Sequence, residues 1–323
     1  RIFIFVKKIM RFSLLFFLTF SIFLKINAQL YNYRYHWDSW ESGASSSEYF
    51  RTPKGIEMDL DGNIYVCDSY LDEVLKFDKQ GNHLLTIGSG VLLNPRNVAV
   101  SNSKVYVSTY NNIAIFDNTG ANIGTLGSSS FSGVTIDNSN NILALNTDSM
   151  RVEVYSSEGN LITQWNLEDN DTNLIDYPQD IGVDISNNVY VADYGNEKIH
   201  KYDPFGEYID SISTQGNPLG IDVEEDGTIH VALKYESKIE KISSDGTSLM
   251  LWGEYGFSNG NLYYPSDVVV NSNGDIFVLN IKSYKPQIQF FEFCETQPHL
   301  SGIISGDTLV SPYSKNNVYT VRD

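Results

Sequence analysis

The sequence predicts an all-β chain whose middle closes into a six-bladed β-propeller, with an N-terminal strand completing the last blade. Three observations carry this. A motif of about 40 residues returns six times, its interior alternates as short strands do, and one unmatched strand lies ahead of the first copy. The composition agrees: the 323 residues are 41% hydrophobic, and 13% aromatics beside four Met and nine Pro favour strands over a helical bundle or a disordered chain.

Residues 1–28 read as a leader. Met10, the expected start, precedes Arg11 and an apolar run from Phe12 to Leu24 broken only by Ser and Thr. Lys7, Lys8 and Arg11 form the basic flank, and Ile26-Asn27-Ala28 offers a small residue at a cleavage position. Lys25 ends the run short of the roughly 20 apolar residues of a membrane span. The expectation is therefore cleavage and a secreted or cell-surface (extracellular or periplasmic) protein with no retained span. Cleavage leaves 17 basic against 40 acidic residues, a net charge of −23 where the whole chain has −18. That balance repels nucleic-acid phosphate, so no nucleic-acid partner is expected. Two cysteines, Cys67 and Cys294, cannot build a disulfide scaffold or a clustered cysteine zinc site.

Residues 29–293 hold the propeller. Tyr33-Arg34-Tyr35-His36-Trp37 is the lone leading strand, followed by Gly43, Phe50 and Pro53. The first copy runs Pro53-Lys54-Gly55-Ile56, then Asp61-Gly62-Asn63-Ile64-Tyr65-Val66-Cys67-Asp68, Val74-Leu75-Lys76-Phe77-Asp78, Gly81 and a fourth strand at residues 83–87. The order returns from Pro95, from Gly133-Val134, from Pro178-Gln179-Asp180-Ile181, from Pro218-Leu219-Gly220-Ile221 and from Pro265. Gly81, Gly120, Gly159, Gly206 and Gly246 recur at spacings of 39, 39, 47 and 40 residues, a length that suits four short strands and their turns. The sixth copy lacks a fourth strand, and residues 33–37 can supply it, removing the open edge that a linear stack would leave. Residues 294–323 read as a linker and then strand, turn, strand, too short to bury a core of their own.

The Pro-x-Gly-Ile/Val opening, the Asp-Gly-Asn-Ile-Tyr-Val-x-Asp strand and the Ile-x-x-Phe-Asp strand leading to Gly resemble the NHL repeat family over residues 30–293. Phe131 in place of the opening Pro, Asn146 at the strand-end Asp of the third copy and Leu233 at that position of the fifth depart from the pattern. Residues 301–323 resemble the opening of an immunoglobulin-like repeat of the kind that follows propellers in secreted bacterial surface proteins. The chain is expected to be a fragment of a longer one. The resemblance implies a six-bladed fold and several functions: protein- or RNA-binding propellers, and among related folds lyases, lactonases and sugar-binding proteins.

No catalytic constellation is recognisable. The Gly-x-Ser-x-Gly string at Gly256-Phe257-Ser258-Asn259-Gly260 falls in a long inter-blade loop and lacks the strand-to-helix turn of a nucleophile elbow, and there is no His-Glu-x-x-His or phosphate-binding Gly-x-x-x-x-Gly-Lys. His36 and His299 lie near the ends, His83 is placed in a turn, and His200 and His230 lie within strands that carry no second ligand at close spacing. The strand-end residues Asp68 and Asp193, with Thr109, Asn146 and Asn280 at matching places, are expected to fix turns. Asp59-Leu60-Asp61-Gly62-Asn63 lacks the ligand order of a calcium loop and reads as a turn. Glu57 and Asp222 stand where innermost strands otherwise carry small or apolar residues. A carboxylate near the axis costs free energy unless it is hydrated, paired or on a cation, so the two form a candidate calcium site if a cation binds at all.

The longest inter-blade loops, residues 41–52, 166–177 and 253–264, are expected on one face. They bring aromatics such as Tyr177 and Tyr264 beside Lys54, Arg96, Asp180 and Asp267 at the mouth of the axis. Those six form the candidate ligand site, with a protein or carbohydrate as the partner class, because aromatics among polar groups offer flat apolar contact. The expected function is a secreted, non-catalytic binding module. The alternative is a propeller enzyme, a lyase, lactonase or hydrolase, with a metal-dependent axial site.

Overall fold

A computed structural model of the chain describes residues 31–37, 50–167, 175–281 and 286–293. The expected leader, the 294–323 segment, Tyr49, Cys294 and His299 lie outside these residues. The described chain is all-β and forms a six-bladed propeller of four-stranded antiparallel sheets. Strand β1 is Tyr31–Trp37. Blade one holds β2 (Pro53–Met58), β3 (Ile64–Asp68), β4 (Glu73–Phe77) and β5 (His83–Ile87), so His83 opens a strand instead of lying in a turn. Blade two holds β6 (Asn97–Val100), β7 (Lys104–Ser108), β8 (Ile113–Asp117) and β9 (Asn122–Leu126). Blade three holds β10 (Phe131–Ile136), β11 (Ile142–Asn146), β12 (Arg151–Tyr155) and β13 (Leu161–Asn166). Blade four holds β14 (Pro178–Val183), β15 (Val189–Asp193), β16 (Lys198–Tyr202) and β17 (Tyr208–Ser213). Blade five holds β18 (Pro218–Val223), β19 (Ile229–Leu233), β20 (Lys238–Ile242) and β21 (Ser248–Trp252). Blade six takes β22 (Pro265–Val270), β23 (Ile276–Asn280) and β24 (Gln287–Phe293), and its outer strand is β1.

Closure follows the sequence reading. Strand β1 pairs antiparallel with β24, from Tyr31 opposite Phe293 to Trp37 opposite Ile288, with a register shift between Tyr33 and Tyr35. Trp37 then does for blade one what Trp165 does for blade four. Gly81, at φ 89°, lies under Trp37, where an added Cβ would come within 2.5 Å of the ring; Gly206, at φ 87°, lies under Trp165, where it would come within 2.3 Å. The glycine after the third strand thus supplies a left-handed turn and a seat for an outer-strand side chain of the preceding blade, aromatic at these two and aliphatic at Gly120, Gly159 and Gly246, which face Ile87, Leu126 and Ile212. The core is a ring of apolar clusters between neighbouring blades. One joins Trp37, Phe50 and Phe277 to Ile64 and Phe77, another joins Val74 and Ile87 to Val105 and Phe116. Second strands are buried along their whole length, apart from Lys104 at the start of β7, because both faces meet a neighbouring blade, so they read as near-continuous apolar runs.

The turn readings hold. Asp59 accepts the backbone N–H groups of Asp61 and Asn63 at 3.1 and 2.8 Å and the Asn63 amide at 2.8 Å, leaving a saturated turn in place of a calcium loop. Cys67 is fully buried, and burial raises its thiol pKa well above the usual range.

Candidate functional site in the axial channel

The site begins with an alternation around the axis. The residue before the apolar opening of each innermost strand is, blade by blade, Gly55, Asn97, Gly133, Asp180, Gly220 and Asp267. A Cβ on Gly220 would lie 2.1 Å from Asp267 Oδ1, one on Gly55 2.8 Å from Asn97 Cα, and one on Gly133 3.2 Å from Asp180 Cα. Gly220 makes room for the Asp267 carboxylate, and Gly55 and Gly133 let the backbone at the polar residue of the next blade come close. Three polar groups thereby reach the axis.

An innermost strand has no neighbour on its axial side, and its N–H groups need acceptors. Carboxylates from adjacent blades supply them. Asp180 Oδ2 accepts the Ile221 N–H at 2.9 Å, while its Oδ1 accepts from the Ile181 N–H and the Asn97 amide, both at 2.9 Å. Asp267 Oδ2 accepts the Ile56 N–H at 2.8 Å, and Asp222 Oδ2 accepts that of Val270 at 2.6 Å. Asp180 and Asp267 are only 4% and 3% exposed. Burial pushes the Asp180 carboxyl up to about 7, and burial with the Asp180 charge beside it raises that of Asp267 well above the carboxylate range. Both therefore staple blades together as well as facing the channel.

Two cavities meet at this belt. The larger, about 800 Å³, opens on the face where the innermost strands begin, and its wall includes Lys54, Arg96, Tyr177, Asp180 and Asp267. Five of the six sequence-predicted site residues thus converge. Tyr264 is the exception: it does not line the cavity but packs on Tyr263 at 4.4 Å and Tyr235 at 5.9 Å between ring centroids. The smaller cavity, about 220 Å³, opens on the opposite side, and Glu57 and Asp222 belong to it, with Asn97, Asp180 and Asp267 shared between the two. Glu57 and Asp222 therefore do not join the long-loop site. Burial lifts Glu57 to about 8, with the Asp222 charge adding to it, and lifts Asp222 to about 6. Among the described residues no group of three or more His, Cys, Asp or Glu converges so as to hold a metal ion. A calcium ion between Glu57 and Asp222 would have to take its remaining ligands from water and backbone carbonyls.

The loops carrying the tyrosines are held by the strand-end polar residues. Asp68 accepts the Arg51 N–H at 2.6 Å, Asp193 accepts that of Asp176 at 3.0 Å, and Asn280 accepts that of Tyr263 at 2.6 Å. Chain direction is thus set just before Pro53, Tyr177 and Tyr264. Tyr177 and Tyr264 precede prolines at φ 55° and 52°, a left-handed conformation that Asn94 adopts at the matching place with φ 51°. For a bulky residue before proline this costs on the order of 1–3 kcal/mol, and such strain gathers at functional sites. Tyr177 is 69% exposed, whereas Phe50, from the corresponding loop of blade one, is buried in the core.

Sequence reasoning missed Lys234, Tyr194 and Tyr235. Lys234 and Tyr194 line the large cavity, and Tyr235 packs on Tyr194 at 6.4 Å. A signal was present: a tyrosine follows the second strand by one or two residues at Tyr70, Tyr110, Tyr194 and Tyr235. Burial and the neighbouring charges of Lys234 and Arg96 lower the Lys54 ammonium from its usual value. His200 and His230 lie away from both cavities, paired at 3.0 Å with Asp193 and at 2.7 Å with Glu224.

No family model matches the chain, and no curated protein does. Solved structures do. A streptogramin B lyase aligns with TM-score 0.60 at 16% identity, covering 84% of this chain and 90% of that one. A protein of unknown function from Bacteroides thetaiotaomicron aligns with TM-score 0.61 at 15% identity, covering 80% and 72%. A luciferin-regenerating enzyme aligns with TM-score 0.57 at 12% identity, covering 76% and 92%. At such identities the likeness establishes the fold, a six-bladed β-propeller shared by proteins of different activity.

Proposed function

We propose that the chain is a secreted NHL-type propeller that acts as a rigid, non-catalytic binding module, taking a protein or carbohydrate partner in the cavity on its long-loop face. The observation that carries this reading is the convergence of Lys54, Arg96, Tyr177, Asp180 and Asp267, from blades one, two, four and six, on one concavity of about 800 Å³. That size suits a ligand pocket, and the wall combines aromatic surface with a few placed polar groups. No histidine lines either axial cavity among the described residues, which favours binding over histidine-dependent chemistry. The named structural relatives include a lyase and a luciferin-regenerating enzyme, so turnover is the competing reading.

The test is to screen the protein against a panel of oligosaccharides and extracellular proteins, and to repeat each hit with Arg96→Ala combined with Tyr177→Ala. Asp180 is kept, since its carboxylate accepts the Ile221 N–H and its removal would loosen the ring. Loss of binding by tenfold or more at unchanged thermal midpoint supports the reading. Retained binding places the site elsewhere, and chemical conversion of the hit makes the protein an enzyme.

A further inference from the structure

The large cavity carries a charge pattern at odds with the rest of the chain. The net charge is −18, yet Lys54, Arg96 and Lys234, from blades one, two and five, meet in one wall, and none of the three makes a salt bridge among the described residues. Arg96 and Lys234 instead lie over the rings of Tyr110 and Tyr235, at 5.9 and 5.5 Å from their centroids. Of the carboxylates on the same wall, Asp180 and Asp267 are occupied by backbone N–H groups, and Asp176 is exposed at the rim. Asp148 lies near enough to Arg96 to favour its charge, but among the described residues no carboxylate closes a salt bridge to any of the three cations, so their N–H groups are left to take an anion from solution.

An aromatic track leaves this wall and crosses the blades. Tyr194, which lines the cavity, contacts Tyr235; then come Tyr264, Tyr263 and Phe257, at centroid steps of 6.4, 5.9, 4.4 and 4.6 Å. Tyr235 and Phe257 are more than half exposed, and two residues of the region, Tyr177 and Tyr264, are held at strained φ. Rigid tyrosines present flat faces at small entropic cost.

We propose that this face binds an acidic oligosaccharide: the cluster of Lys54, Arg96 and Lys234 takes the carboxylate or sulfate of one sugar, and the track from Tyr194 to Phe257 takes the faces of the sugars that follow. The proposal rests on the cavity being the binding site. A nucleic acid carries a phosphate at every residue and would need cations along the whole track, whereas the cations stand only at its inner end. A protein partner would meet a flatter surface than a cavity of this depth.

Calorimetry on the folded protein tests it with five kinds of probe: uronate-bearing oligosaccharides, their sulfated counterparts, neutral oligosaccharides of equal length, the acidic monosaccharide alone, and an oligouridylate. Binding of a uronate-bearing or sulfated oligosaccharide at least tenfold tighter than its neutral counterpart, weakening with added salt, is the expected result, and whichever acidic arm binds identifies the anion. Lys54→Gln with Lys234→Gln should erase the preference for the acidic probe at unchanged thermal midpoint. Tyr235→Ala with Phe257→Ala should weaken the oligosaccharide at least fivefold and leave the acidic monosaccharide unchanged. Equal affinity for neutral probes, tighter binding of the oligouridylate, or no binding by any acidic saccharide overturns the proposal. If a neutral or protein ligand binds and is lost with the Arg96 and Tyr177 variant, only the acidic-sugar inference fails; if a ligand ignores both sets of substitutions, the cavity reading fails with it.

Discussion

Glu57→Gln should stabilise the propeller in alkaline solution and leave it unchanged in mild acid. Glu57 lies in the innermost strand of blade one and lines the smaller cavity, where its Oε1 accepts the Met58 N–H at 2.8 Å. Burial raises its pKa from 4.5 to about 8, so the folded protein holds a proton that the unfolded chain has already released. Unfolding then releases a proton between those limits, and stability falls as pH rises from about 4.5 to 8. At about 1.4 kcal/mol per pKa unit the ceiling of that loss is on the order of 5 kcal/mol. Glu57 is only half-buried and lines a cavity of about 220 Å³ that opens to solvent, and this screening brings the expected loss down to roughly 1–3 kcal/mol. Glutamine keeps the volume and the acceptor for Met58 but has no charge to bury. Urea unfolding at pH 9 should therefore show the variant more stable by roughly 1–3 kcal/mol, with no difference at pH 4.5. Asp222, raised to about 6, adds a second loss within the same window in both proteins. Glu224 and Asp59, whose pKa values lie below normal, act in the opposite sense only at more acidic pH. An equal gain at both pH values, or a variant less stable at pH 9, would refute the reasoning.

Deleting residues 29–40 removes the outer strand of blade six and the Trp37 contacts with Phe50 and Phe277, so the thermal midpoint should fall by more than about 10 °C or the protein should aggregate through the bared edge of β24; an unchanged midpoint would contradict closure. Cys67 should react with a thiol reagent only as fast as the propeller unfolds, and rapid labelling of the native protein would contradict its burial. Tyr177→Asn, which substitutes the residue found at the equivalent Asn94, should raise stability by roughly 0.5–1 kcal/mol while weakening the bound ligand; a loss of stability would show that Tyr177 carries packing and no strain. RNA should not bind at submicromolar concentration in physiological salt, as filter binding can check, because three clustered cations fall short of the phosphate contacts such affinity needs.

The sequence determined by itself whatever depends on short-range pattern. Six copies of one repeat, five of them opened by a Pro and each with a buried apolar second strand and a Gly at positive φ, set strand number, turn chemistry and blade count, and Tyr33 to Trp37 could belong only to the unfilled edge of the sixth blade. The gathering of Lys54, Arg96, Tyr177, Asp180 and Asp267 around one cavity was legible for the same reason, since each sits at a fixed place in a repeat and the repeats share one axis. The rest came from contacts between blades, which have no fixed sequence spacing. Glu57 and Asp222 look like neighbours of Lys54 and Gly220 in the chain, but the innermost strand runs through the channel and two residues carry a side chain from one mouth toward the other. Asp180 and Asp267 read as ligand-facing carboxylates at the mouth of the axis, and only the ring geometry shows them also accepting the N–H groups of Ile221 and Ile56 from adjacent blades. Lys234 joined Lys54 and Arg96, and Tyr235 joined Tyr264, for that reason too: they lie far apart along the chain, and closing the propeller brings them around one cavity and its rim.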